Sequence, residues 1–234
     1  MSEVVQLVQL VSQEATVVVN GSSRYNGGKF DEVMVRTTIV TNGPLTENYY
    51  VPNGNSLSKE AMALIQNQGL EFRPYRETEL LEGTEDVIDV AKAGDVVGTE
   101  RDIARLLLRS SLVSVPLQQI AQLENGQFVY EVKYEYKLFP VLNDTYEFQI
   151  RLPFDGTQII NGSEVKLTVL TPIGGNIDEN ATKGIDENGQ EIQEVVQQLV
   201  QTGRSVTTFQ YRLDPLFTVR YVHTTPVLSN LINQ

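Results

Sequence analysis

The residues best suited to holding a cation lie in one acidic stretch, Asn176-Ile-Asp-Glu-Asn-Ala-Thr-Lys-Gly-Ile-Asp-Glu-Asn-Gly189, in which Ile-Asp-Glu-Asn occurs twice. Calcium takes carboxylate and amide oxygens from alternate positions of a loop. With Asn176 as position 1, Asp178, Asn180 and Glu187 fall at positions 3, 5 and 12, and these are the candidate ligands. Position 6 is then Ala181, where a calcium loop needs Gly for its sharp turn, and position 1 lacks the usual Asp. Lys183 also sits in the middle of the stretch. Those departures favour a solvated loop built from Asx turns over a cation site.

Other chemistry is thinly represented. Histidine occurs once, as His223 at the end of an alternating run, and there is no Gly-x-Ser-x-Gly elbow to present a serine to it. It reads as a strand residue at a domain edge. Cysteine is absent, which removes disulfides, thiolate metal sites and cysteine nucleophiles. The 30 acidic residues contain many carboxylate pairs, but nothing in their spacing selects one for glycoside hydrolysis. Tryptophan is also absent, so a sugar platform would fall to Tyr49, Tyr50 or Tyr75. Gly27-Gly28 and Gly174-Gly175 do not open a strand-to-helix phosphate cradle. No catalytic residue and no cofactor is assigned.

The elements that would position any site are mostly strands. In Phe128-Val-Tyr-Glu-Val-Lys-Tyr-Glu-Tyr-Lys-Leu138 the apolar and aromatic residues take one parity and Glu131, Lys133, Glu135 and Lys137 take the other. Side chains alternate across a strand, so this run has one packed face and one wet face. Residues 146–152 and 164–170 alternate in the same way, and 209–213 with 217–223 reads as a pair around Asp214-Pro215. Asn143-Asp144, Asp155-Gly156 and Asn161-Gly162 supply turns.

Earlier in the chain, 16–19, 32–40 and 49–51 read as strands of one sheet, and 3–13 fits a helix, a strand or an extended arm. Helices are expected at 57–67, capped by Ser56 or Ser58, and at 100–111, capped by Thr99 with Ile103, Leu106, Leu107 and Ser110 on one face. A further short helix is expected from Pro116 to Gly126. Ile192, Val195, Val196, Leu199 and Val200 follow helical spacing, which favours a helix near 191–201 over a hairpin.

The expected fold class is therefore mainly β (α+β). Residues 1–125 form a smaller α+β region containing the acidic segment 71–102. Residues 126–234 form an antiparallel β-sandwich-like region with a short helical insertion.

Composition narrows the function classes. The net charge is −12, shared as −7 before residue 126 and −5 after it, so neither half is a basic module for nucleic acid. No run approaches a membrane span, and Met1–Val11 has no positive leader region, so synthesis in the cytoplasm without a signal peptide is expected. Both ends carry apolar residues: Val4, Val5, Val8 and Val11 at the start, and Val227, Leu228, Leu231 and Ile232 at the finish. Free tails are usually polar, so these point to docking on the chain's own core or on a neighbouring subunit.

The expected function is a non-enzymatic structural subunit of a homo-oligomeric particle, shell or filament, such as a phage virion component. Its partners would be itself or other structural proteins, with no nucleic acid and no membrane insertion. The alternatives are a carbohydrate- or protein-binding β-sandwich module, calcium-assisted at 176–187, and a carboxylate-dependent hydrolase.

Overall fold

The computed structural model describes residues 8–46, 48–53, 57–70, 72–76, 91–151, 158–186, 188–192, 194–199, 203–211 and 216–223. The fold is mainly β with a few helices. The strands are β1 (Gln9–Asn20), β2 (Asp31–Thr41), β3 (Asn48–Pro52), β4 (Tyr75–Arg76), β5 (Leu112–Pro116), β6 (Gln118–Gln122), β7 (Phe128–Leu138) and β8 (Pro140–Leu142). They continue with β9 (Thr145–Arg151), β10 (Gln158–Leu170), β11 (Asn176–Ile177), β12 (Lys183–Ile185), β13 (Glu191–Ile192), β14 (Glu194–Leu199), β15 (Arg204–Tyr211) and β16 (Leu216–Val222). The helices are α1 (Ser23–Asn26), α2 (Lys59–Asn67) and α3 (Val96–Ser110).

Two sheets form the sandwich. The first runs β14-β15-β10-β1-β2-β7-β6, and the second runs β13-β12-β16-β9-β8 with β11 also paired to β16. Neighbours are antiparallel except β1 and β10, which are parallel. Alternation aims one parity of each strand inward. Val33, Val35, Thr37 and Ile39 of β2 are buried, as are Tyr130, Val132, Tyr134 and Tyr136 of β7. Register aligns them in rows, one of which reads Thr207, Val169, Val17, Val35, Tyr134 across five strands. Tyr146, Phe148 and Ile150 of β9, with Phe217, Val219 and Tyr221 of β16, close the core from the other side.

Several expectations are corrected. The described residues within 191–201 are not helical: Glu191–Ile192 is β13 and Glu194–Leu199 is β14, hairpinned to β15 with Leu199 opposite Arg204. The apolar spacing is helical and does not alternate, so pairing with the neighbouring strand β15 overrides it. The helix expected at 116–126 is β6, paired to β7 through a turn at Gly126 (φ 83°). β15 and β16 are not a pair. They lie in opposite sheets, and Phe209 meets Phe217 across the core with ring centroids 4.7 Å apart. Asn161-Gly162 lies inside β10, where the register against β1 shifts, and does not end a strand. Asn143-Asp144 does turn, with Asp144 at φ 58°. Asp155-Gly156 lies outside the described residues.

The α+β portion spans β3 to β5, between β2 and β6, so it does not extend over 1–125. β1 and β2 belong to the middle of the first sheet, and the boundary placed at 125/126 falls between the paired β6 and β7. β3 does not extend that sheet, because it pairs with β4 and β5 in a separate one. A second cluster of Ile65, Tyr75, Leu108 and Leu112 holds the helices there.

Ser58 caps α2 by accepting from Ala61 N at 3.2 Å, as its sequence implies. The cap of α3 is Asp95 and not Thr99, because the Asp95 carboxylate accepts from Gly98 N at 3.0 Å and starts the helix a turn earlier. Its buried face is Asp102, Ala104 and Leu108, which leaves Ile103 and Leu106 exposed.

Candidate functional site

The densest polar chemistry among the described residues lies at one end of the sandwich. Asp31 opens β2 on the inward parity, and His223 follows β16 on the inward parity of Phe217, Val219 and Tyr221. Ser23 comes from α1 between them. Ser23, Asp31, Tyr221 and His223 are all fully buried.

Asp31 is the hub. Ser23 N donates to its Oδ1 at 2.9 Å and Tyr221 Oη donates to its Oδ2 at 2.8 Å. His223 Nδ1 lies 3.4 Å from the same Oδ2 and 3.2 Å from Ser23 Oγ. A carboxylate can only accept, so the contact requires the proton on Nδ1. Burial alone would raise the Asp31 pKa, but hydrogen bonds from His223, Ser23 and Tyr221 outweigh it and hold the carboxyl below its ordinary value. Burial pushes the Tyr221 hydroxyl well up, and the neighbouring Asp31 charge adds to the effect. Tyr146 stacks on Tyr221 at 5.2 Å with the rings 7° from parallel.

The trio of Ser, His and Asp is not a nucleophile system. Such a system uses both imidazole nitrogens, one for the carboxylate and one for the serine. Here one nitrogen faces both, and Nε2 has no partner among the described residues. A Cβ at Gly21 would lie 2.6 Å from His223 Cε1, so the ring is also sealed from that side. What the group does is tie the two sheets together.

The acidic loop is structured by its own carboxylates. Asp178 Oδ1 accepts from Asn180 N at 3.1 Å and from Ala181 N at 3.2 Å. Asp186 Oδ1 accepts from Asn188 N and Gln190 N at 2.9 and 2.8 Å. Asn176 starts β11 opposite Val222, and Glu187 lies outside the described residues. Among the described residues no group of three or more His, Asp or Glu is placed to hold a metal.

Of the apolar terminal residues, Val8 packs near Gly43, and Val11 sits in β1 between β2 and β10. Val4, Val5, Val227, Leu228, Leu231 and Ile232 lie outside the described residues. Of the tyrosines considered for a sugar platform, Tyr49 and Tyr75 are buried.

Sequence reasoning missed Asp31 and misjudged His223. The available signal was parity, since a lone carboxylate in the apolar phase of β2 needs a buried partner.

A cleft of about 570 Å³ lies between α2 and the second sheet, lined by Met62, Phe72, Leu138 and Phe148 with Lys59 and Lys137. Large apolar side chains are also exposed, notably Tyr25 (92%), Leu142 (72%) and Ile173 (54%).

No protein-family model matches this chain. No curated protein matches it either. Among solved structures it is similar to the yeast delta-COP-I mu-homology domain complexed with a Dsl1 WxWxV peptide, at 8% identity over 95% of this chain and 77% of that one. The TM-score is 0.20, too low to carry an argument about fold or function.

Proposed function

We propose that this chain is a non-enzymatic structural subunit that assembles with copies of itself into a particle, shell or filament, a virion component being one such setting. The supporting observation is a set of large apolar side chains exposed at the end of the sandwich where His223 lies. Tyr25 in α1, Leu142 at the end of β8 and Ile173 after β10 are exposed, and β16 finishes at the same end. Residues 224–234 follow His223 in the sequence and carry Val227, Leu228, Leu231 and Ile232 without one charged side chain. Exposed apolar side chains and an apolar, uncharged terminal sequence suit contact between copies, because covering apolar area stabilises by about 25 cal/mol per Å².

Light scattering coupled to size exclusion tests the reading. Full-length protein should elute as a discrete multimer, and protein truncated after His223 should shift to smaller species. A full-length monomer at high concentration overturns it.

The cleft beside α2 favours a second reading, a module that binds carbohydrate or a protein ligand, since its volume suits a small-molecule site. A rise in melting temperature with one member of an oligosaccharide panel would select that reading.

A further inference from the structure

We infer that the outer edge of β6 is a self-association edge, where two copies pair their β6 strands antiparallel about a two-fold axis and join their first sheets. The inference rests on the homo-assembly reading and names a surface that the terminal residues do not supply.

β6 ends the first sheet, and among the described residues no strand pairs with its outer side. All five of its residues are exposed. An unpaired edge presents a row of backbone donors and acceptors that another strand can complete, and proteins usually guard it with charge or proline inside the strand. Gln118-Gln-Ile-Ala-Gln122 has neither. The whole run Ser110–Leu123 contains no charged residue, in a chain where 21% of residues are charged.

Charge selects a second copy as the occupant. Two molecules of net charge −12 repel, and the repulsion is least where the approaching surfaces carry no charge. The acidic group on the adjoining strand is already neutralised. Glu131, opposite Gln118, contacts Arg36 Nε at 2.5 Å and Lys133 Nζ at 2.6 Å.

The strand is also nearly self-complementary. Antiparallel pairing centred on Ile120 sets Ile120 against its counterpart, Gln119 against Ala121, and Gln118 against Gln122. Apolar meets apolar at the axis, and the glutamine amides both donate and accept. An isologous contact requires this kind of match. The bulge between Gln119 and Ala121 is an edge guard that β6 does carry, and it limits the ladder between copies to a short one.

Ile120→Lys and Gln119→Lys place charge at the axis of a surface strand whose residues are all exposed, so both variants should fold. Each should be compared with the full-length wild type by light scattering, with thermal melts as the folding control. The expected result is a wild-type multimer whose mass falls at least twofold in both variants. In addition, Ile120→Cys in this cysteine-free chain should form a disulfide dimer with diamide as oxidant, while Val97→Cys, exposed on α3, should not match its yield.

A wild-type multimer that persists in both folded lysine variants, with no excess of crosslinking at position 120, overturns the β6 edge and leaves assembly standing. A monomeric wild type overturns both.

Discussion

Tyr221 Oη donates a 2.8 Å hydrogen bond to Asp31 Oδ2, linking strands 190 residues apart in opposite sheets of the sandwich. A buried carboxylate is costly unless its oxygens are satisfied, and here Ser23 N, Tyr221 Oη and His223 Nδ1 all converge on it.

Asp31→Asn should therefore lower the unfolding free energy by about 3 kcal/mol, read from urea denaturation at neutral pH. The wild-type pH dependence follows from the lowered Asp31 pKa. The contribution is fully present above the unfolded carboxyl value of about 3.9, and it is lost as pH falls through the lower folded value. Denaturation midpoints should drop more steeply below about pH 4 in the wild type than in Asp31→Asn. Equal slopes would mean that the carboxylate is not held by the network.

Phe217 and Gly184 form a tight fit. A Cβ at Gly184 would lie 2.7 Å from the Phe217 ring. Gly184→Ala should destabilise by about 1–3 kcal/mol and Phe217→Ala by about 3–5 kcal/mol. The double variant should lose less than the sum, because the missing ring makes room for the methyl group. A double-mutant cycle in urea checks the coupling, and strict additivity would contradict the packing.

Deleting residues through Gln13 should abolish cooperative unfolding, as followed by circular dichroism on heating. Leu10, Ser12 and Gln13 pair with both β2 and β10, and Leu10 is fully buried among them. A truncated chain that still melts cooperatively would show that the middle of the first sheet tolerates losing half a strand.

Calcium at millimolar concentration should leave the melting temperature unchanged, measured by differential scanning fluorimetry against a chelator control. The Asp178 and Asp186 side chains already accept the amide N–H groups of their own turns. A rise of several degrees would reinstate Asn176, Asp178, Asn180 and Glu187 as a cation loop.

The alternation that marks β2, β7 and β9 in the sequence also names their buried residues. Val33, Val35, Tyr130, Tyr134 and Phe148 all face inward as their parity requires. Helix α2 was legible because Ser58 supplies a local cap and Gly69 a left-handed stop at φ 69°. The strand Glu194–Leu199 was not, since the apolar spacing there is helical without alternation and only pairing with β15 overrides it. β6 failed for a related reason. Pro116 and Gly126 bracket a helix or a hairpin equally well, and only pairing with β7 distinguishes them.

From local chemistry alone the sequence determined that this is a mainly β, cysteine-free, acidic chain with strands of known inward faces. Side-chain alternation, caps and turns act over a few residues, and they leave their mark in adjacent letters. Tertiary structure alone decided that β1 lies parallel to β10, that β15 and β16 belong to opposite layers, and that His223 meets Asp31 in the core. Those arrangements depend on contacts between residues far apart in the chain, where many pairings satisfy the same local patterns. The choice among them is made by burying every inward face at once, with each buried polar group finding a partner where one can reach it.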